Sequence, residues 1–285
     1  MTVQTTSPLA MRLKQIMTEK GRPLYMPYLT LGDPSFKASV EIAGAMLRGG
    51  ADVLELGIPF SDPTADGPVI QKAMVRSMSA SDFSIDAVFE TTEKIHALQP
   101  ETPLVFLTYL NPVLSGFAAS SADEQESAVR FFERSARAGI RGLVIPDLPY
   151  DSKEARLLAR LGAMAGVEIV GMIAPNTSPK RLKEIAAAAR GFIYYVTSHG
   201  VTGERSELPA DLVERLEQVR KLSGVPVFAG FGISRPEQAA TLVGHVDGVI
   251  AGSVHHRIIE EDASTAAAKI EQLTRDFTAS LQTRN

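Results

Sequence analysis

Eight short apolar runs, separated by longer amphipathic stretches, constrain this 285-residue chain more than any other feature. They read "PLYMPYLTLGDP", "DVLELGIP", "PLVFLTYLNP", "GLVIPDLP", "EIVGMIAP", "GFIYYVTS", "VPVFAGFGIS" and "GVIAGSV", each bounded by Gly, Pro or Asp. Their apolar residues are continuous rather than alternating, which is the pattern of strands buried on both faces, as in a parallel sheet. The stretches between them repeat at helical spacing. "SFKASVEIAGAMLRGGA" sets Val40, Ala43, Met46 and Leu47 on one side and stops at Gly49–Gly50, a helix-ending signal. Ser178-Pro179 and Ser234-Arg235-Pro236 read as N-caps with Pro in the first turn.

Eight β–α units in about 250 residues predict an α/β fold of the (β/α)8 TIM-barrel type, with an extra N-terminal helix ahead of the first strand. A doubly wound open sheet is the alternative, because periodicity alone does not prove closure. Two features favour the barrel. No GxGxxG follows the first strand, as a dinucleotide fold would want. Polar residues also recur where strands end, where barrels keep their active sites. With no linker in view, one domain over 1–285 is expected, fraying at about 1–7 and 278–285.

Composition narrows the chemistry. The chain has no cysteine, so disulfides, thiolate catalysis and Cys-based zinc sites are excluded and a reducing cytoplasm is compatible. Net charge is −4 with no basic run, so no electrostatic footprint for nucleic acid exists. No signal-peptide h-region or membrane-length apolar stretch is present.

Against that background one acid is out of place. Glu55 lies inside the second run, between Leu54 and Leu56, and so points to the opposite face from both. In a barrel that face is the lumen. A buried carboxylate is usually paired, yet no Lys or Arg occurs in a neighbouring strand reading. Desolvation disfavours its ionised form, which suits a carboxyl that gives and takes a proton near neutrality. Asp66 follows in "SDPTADGP". Alone it reads as a turn-former; with Glu55 it is a candidate second carboxylate, whereas Asp62 fits the plain turn reading.

A phosphate grip is expected opposite. Gly230 and Gly232 end the seventh run, and Gly252 and Ser253 end the eighth and open a helix. Glycines baring amides after strands seven and eight form the usual phosphate pocket of barrels. "SHGVTGERSELP" (198–209) reads as a flap in which Thr202 and Gly203 offer a hydroxyl and an amide. His199 in it reads as a solvated loop residue first and an acid or base second. His255-His256 is no metal site, because adjacent helical residues face apart and no third ligand stands nearby. Tyr28, Tyr109 and Tyr194 lie near strand ends and fit either core or site. Asp147 in "VIPDLPY" either serves the site or holds a neighbouring loop. Together these residues predict general acid–base chemistry on a small phosphorylated substrate, without a metal.

The string "LELGIPFSDPTADGP", with "YLTLGDP" before it and "GVTG", "GFGIS" and "GS" after it, resembles the tryptophan synthase alpha subunit family. The likeness runs in order over residues 8 to 275. It implies retro-aldol cleavage of indole-3-glycerol phosphate to indole and D-glyceraldehyde 3-phosphate, with Glu55 and Asp66 catalytic. It further implies that Tyr28, Leu107, Tyr109 and Met172 wall the indole pocket. Tyr194, Gly203, Gly232, Gly252 and Ser253 fall on ligand or phosphate contacts, and Thr202 on the flap threonine. The family works as an α2β2 complex with a beta subunit that carries pyridoxal phosphate, so no cofactor is expected in this chain. Pro63, Asn111 and Pro149 fall on the partner-facing loops. Tyr28 stands where the family commonly has Phe, and "GFAASSADEQESAVRFF" is longer than the family's pattern. A stand-alone lyase and a catalytically silent allosteric barrel are the competing readings.

Overall fold

Each apolar run becomes a strand, and the strands close into a parallel barrel in chain order: β1 (Leu24–Thr30), β2 (Leu54–Gly57), β3 (Leu104–Leu107), β4 (Ile140–Val144), β5 (Glu168–Ile173), β6 (Arg190–Val196), β7 (Val227–Gly230) and β8 (Gly248–Ala251). β8 pairs back onto β1 through Leu24↔Gly248 to Pro27↔Ala251, which excludes the open-sheet alternative. The computed structural model describes residues 7–117, 123–197, 211–230 and 232–282.

The helices form the outer layer. They are α2 (Phe36–Arg48), α3 (Pro68–Met78), α4 (Ile85–Leu98), α5 (Leu110–Ser115), α6 (Glu124–Arg137), α7 (Lys153–Ala165), α8 (Pro179–Ala188), α9 (Leu212–Leu222), α10 (Pro236–Ala240), α11 (Ser253–Glu261) and α12 (Ala266–Ser280), with α1 (Pro8–Lys20) ahead of the barrel. Local chemistry explains their limits. Ser35 Oγ accepts from Ala38 N at 3.1 Å to start α2, and Gly50, at φ +96, ends it in a conformation that L side chains rarely adopt. Between them Phe36, Ile42, Ala43 and Met46 are buried, each large apolar side chain contributing about 1.5–3 kcal/mol. Ser178 caps α8, as expected. Ser234 does not cap α10: Arg235 is the N-cap residue, and the Gln238 carboxamide oxygen accepts from the amides of both Ser234 and Arg235.

Among the described residues, Ser7 and the segment up to Leu281 are held against the barrel. Ser7 donates to Glu168 Oε2 at 2.7 Å and accepts from Gly191 N at 2.9 Å, so α1 is pinned under the barrel. Leu9 and Leu13 of α1 join the lumen residues in one core and seal its N-terminal end. Gly191, at φ +67, sits against Leu9 Cδ2 with no room for a side chain. At the other terminus α12 runs to Ser280, Leu281 is fully buried, and Phe277 stacks on Tyr25 at 4.7 Å. None of the described helices is long and apolar enough to cross a membrane.

With the bottom closed, function is left to the opposite end. Register brings lumen-facing residues into level there: Tyr28 pairs with Glu55, and Met172 pairs with Tyr194.

Candidate active site

Glu55 faces the lumen as the alternation predicts. It is 1% exposed, and its Oε1 has no hydrogen-bond partner among the described residues. Burial first, and the negative charge of Asp66 second, push its carboxyl up to about 8. The carboxyl therefore keeps its proton at neutral pH.

Asp66 is placed by the loop between β2 and α3. Its amide donates to Pro63 O at 3.0 Å, and its own carbonyl accepts from Gln71 Nε2 at 2.9 Å. Its carboxylate is 4% exposed and accepts from Tyr109 Oη at 2.6 Å. Burial raises it to about 6, with the Tyr109 hydrogen bond acting the other way. Tyr109 is in turn fixed by Ala65 N, which donates to its oxygen at 3.1 Å. Asp62, by contrast, is exposed. The two carboxyls thus lie in one desolvated site with ionisations pushed to different levels, the arrangement that separates acid from base.

The described residues enclose about 90 Å³ over Glu55, lined among others by Tyr28, Leu107, Tyr194, Gly232, Gly252 and Ser253. Six sequence-predicted residues therefore meet Glu55 and Asp66 in one cavity. The Tyr28 hydroxyl finds its partner in Thr30 Oγ1 at 3.0 Å, two positions along the same strand face. Gly232 takes φ +90. Gly252 is the N-cap of α11 and Ser253 its first residue, so first-turn amides of α11 are available to an anion.

Other predicted residues fall elsewhere. Met172 faces the lumen but lines a neighbouring, larger cavity rather than the one over Glu55. Tyr109 holds Asp66 and is absent from the cavity's lining. Asp147 is a loop-holding acid: its Oδ1 accepts from Leu110 N at 2.9 Å, at the start of α5. Pro63 and Pro149 sit on the loops after β2 and β4, and Asn111 in the first turn of α5 after β3, on the rim at the active end, with Asn111 and Pro149 exposed. His199, Thr202 and Gly203 lie outside the described residues. His255 and His256 are both buried and face different partners, Tyr25 Oη at 3.2 Å and the Thr30 amide at 3.0 Å. The second ring nitrogen of His256 lies 2.8 Å from Asp33.

Of the lining residues the sequence reading did not name, one carries a charge. Arg257 is the cation among the described residues that line the cavity. It stands four positions after Ser253 on α11, hence on the same helix face, a spacing that was readable in "GSVHHR".

Residues 13–283 match the family model described as tryptophan synthase alpha chain. A tryptophan synthase alpha chain of Leptospira biflexa is 43% identical over 258 residues, covering 90% of this chain and 92% of that protein. One from Leptospira interrogans is 47% identical over 241 residues, covering 85% and 87%. Among solved structures, Mycobacterium tuberculosis tryptophan synthase superposes with a TM-score of 0.83 at 28% identity, covering 98% of this chain and 100% of that one. The tryptophan synthase alpha subunit of Legionella pneumophila gives 0.82 at 30% identity, with 97% and 99% covered.

Proposed function

The chain belongs to the tryptophan synthase alpha chain family, and from that premise we infer that Glu55 and Asp66 carry the cleavage of indole-3-glycerol phosphate to indole and D-glyceraldehyde 3-phosphate. The protein is a carbon–carbon lyase of tryptophan biosynthesis. The observation that carries the assignment of roles is the partnerless, buried Glu55 Oε1 beside a second, lower-titrating carboxyl.

Between about 6 and about 8, Asp66 is ionised while Glu55 keeps its proton. Glu55 delivers that proton to C3 of the indole, leaving a ring cation. Asp66 accepts the indole N–H and stabilises the positive charge as it develops. The Glu55 carboxylate then takes the proton of the hydroxyl on the attached carbon. The C–C bond breaks as the carbonyl forms, and its electrons return to the ring. One proton enters and one leaves, so the step closes on two carboxyls without a cofactor in this chain.

The phosphate is proposed to lie at the opposite end, on amides near Gly232, Gly252 and Ser253, with Arg257 adding a charge-assisted contact. Thr202 and Gly203, outside the described residues, keep their proposed ligand roles by resemblance. Membership in an alpha-chain family implies a complex with a beta subunit. The proposed assembly is α2β2, with the rim segments bearing Pro63, Asn111 and Pro149 facing the partner and pyridoxal phosphate held by that partner.

A pH profile of kcat/KM for indole release tests the roles. A bell with limbs near 6 and 8 is expected, the two values belonging to the coupled pair. A profile flat from about 5 to about 9 would remove the carboxyl pair from the rate-determining chemistry.

A further inference from the structure

α3 and α11 bring their first turns to the same cavity. Pro68, Val69 and Ile70 of α3 line it beside Asp66, and Ser253 of α11 lines it beside Gly252. α3 thus starts from the carboxyl proposed to receive the indole N–H, and α11 carries the grip proposed for the phosphate. A substrate that spans both is aligned only if the gap between the two helices is right. Neither helix fixes that gap with a cap of its own, because the N-cap residues Gly67 and Gly252 have no side chain to cap with.

The gap is set one layer deeper, by His256. Adjacent amides along a strand point to opposite sides. Leu31 N donates to Gly57 O of β2, so Thr30 N points the other way, toward β8, and that strand has already ended at Ala251 opposite Pro27. A buried amide needs an acceptor, and His256 supplies it: Nε2 lies 3.0 Å from Thr30 N. A backbone amide can only donate, so Nε2 accepts and carries no proton. The proton of the neutral ring then sits on Nδ1, which donates to Asp33 Oδ2 at 2.8 Å. Asp33 also accepts from Nε and Nη2 of Arg76, on α3, at 2.8 and 2.9 Å. Burial pushes the Asp33 carboxyl up, but the hydrogen bonds from His256 and Arg76 outweigh it and hold the group below its usual value. Asp33 therefore stays an acceptor for both helices, and its side chain and that of His256 are fully buried. Two further ties between α3 and α11, from Glu260 to Lys72 at 3.3 Å and to Arg76 at 3.9 Å, are partly exposed and correspondingly weak.

We propose that His256 is a positioning residue of the lyase: braced between the Thr30 amide and Asp33, it sets the spacing of α3 and α11 and so the distance between Asp66 and the phosphate grip. The use of that spacing rests on the lyase reading; the brace itself rests on the hydrogen bonds. His256 does not line the cavity. Its neighbour Tyr28, which does, keeps a partner of its own in Thr30 Oγ1. The brace should therefore matter to a ligand that spans the site and not to one that fills half of it, because only the spanning ligand makes its second contact intramolecularly.

Three ligands separate these cases: indole, inorganic phosphate, and a non-cleavable analogue in which a plain propyl chain joins indole to phosphate. Their affinities are measured by titration calorimetry, alongside steady-state cleavage, in wild type, His256→Gln, His256→Asn, Asp33→Asn and the Asp33→Asn/His256→Gln double variant. Gln carries an acceptor toward the Nε2 position and keeps the Thr30 amide partnered. Asn carries a donor near the Nδ1 position and keeps Asp33 partnered. Neither does both. Each His256 variant is expected to lose about tenfold or more in kcat/KM and in affinity for the analogue, while indole and inorganic phosphate bind within about threefold of wild type. Asp33→Asn should lose as much as His256→Gln, and the double variant no more than either. Unchanged analogue affinity and kcat/KM, or fragments weakened as much as the analogue, would overturn the proposal. Failure of both His256 variants to fold would also overturn it, by making His256 a structural residue of the barrel. If the wild type did not cleave substrate, the lyase reading would fall, and the comparison of analogue with fragments would still decide the brace.

Discussion

Glu55 keeps its proton because the fold withholds both water and a cation from it, and that has a price in stability. Its carboxyl ionises near 4.5 in an open chain and near 8 in the folded one. Over that window the folded protein holds a proton that the unfolded chain has lost, so stability falls as pH rises, by about 1.4 kcal/mol per unit. Glu55→Gln removes the titration. The variant should match or undershoot the wild type in Tm near pH 4.5 and gain on it steadily up to pH 8, after which the difference is constant. Parallel Tm curves across that range would mean that Glu55 is not desolvated as described. At this scale much was legible. A Glu flanked by two Leu in a buried run, with no basic residue in reach, announces an unpaired lumen acid. The role of Tyr109 was not legible, because its contact with Asp66 spans 43 residues and no local pattern encodes it.

Elements place these residues, and α11 and α1 show how. α11 turns its N-terminus and one side, Ser253 and Arg257, to the cavity. A charge-assisted contact to the substrate phosphate contributes about 1.5–3 kcal/mol. Arg257→Ala should therefore raise KM for indole-3-glycerol phosphate at least tenfold with kcat within about twofold, and Arg257→Lys should recover part of the loss. A KM unchanged in steady-state assays would make Arg257 a surface residue. α1 acts at the far end, where Leu13 is fully buried under the lumen. Leu13→Ala should cost about 2–5 kcal/mol in denaturant unfolding and leave kcat unaltered. A fall in kcat of the same order would couple the floor of the barrel to the site. Strands and most helices were readable from apolar periodicity and Gly or Pro stops. The cap of α10 was misplaced by one residue because Gln238, not the preceding Ser, satisfies the open amides.

The whole molecule divides its labour between two ends: a floor sealed by α1 and a rim of loops that carries chemistry and the proposed partner face. The fold class was legible because eight buried runs of similar length leave few ways to cover both faces of a sheet, and closure leaves no edge. The rim is less legible, since its loops obey the ligand and the partner as much as the barrel. If Pro63, Asn111 and Pro149 face a beta subunit, then placing a charge at the exposed Asn111 (Asn111→Glu) should weaken association measured by titration calorimetry without changing the Tm of the isolated chain; unchanged affinity would move the partner to another face. The measurement that bears most directly on the account is indole release from indole-3-glycerol phosphate by wild type and Glu55→Gln, each with and without a tryptophan synthase beta subunit. The account predicts release by the wild type that rises with the partner, and none from Glu55→Gln in either state. Release by Glu55→Gln at the wild-type rate, or none from the wild type with its partner present, would contradict it.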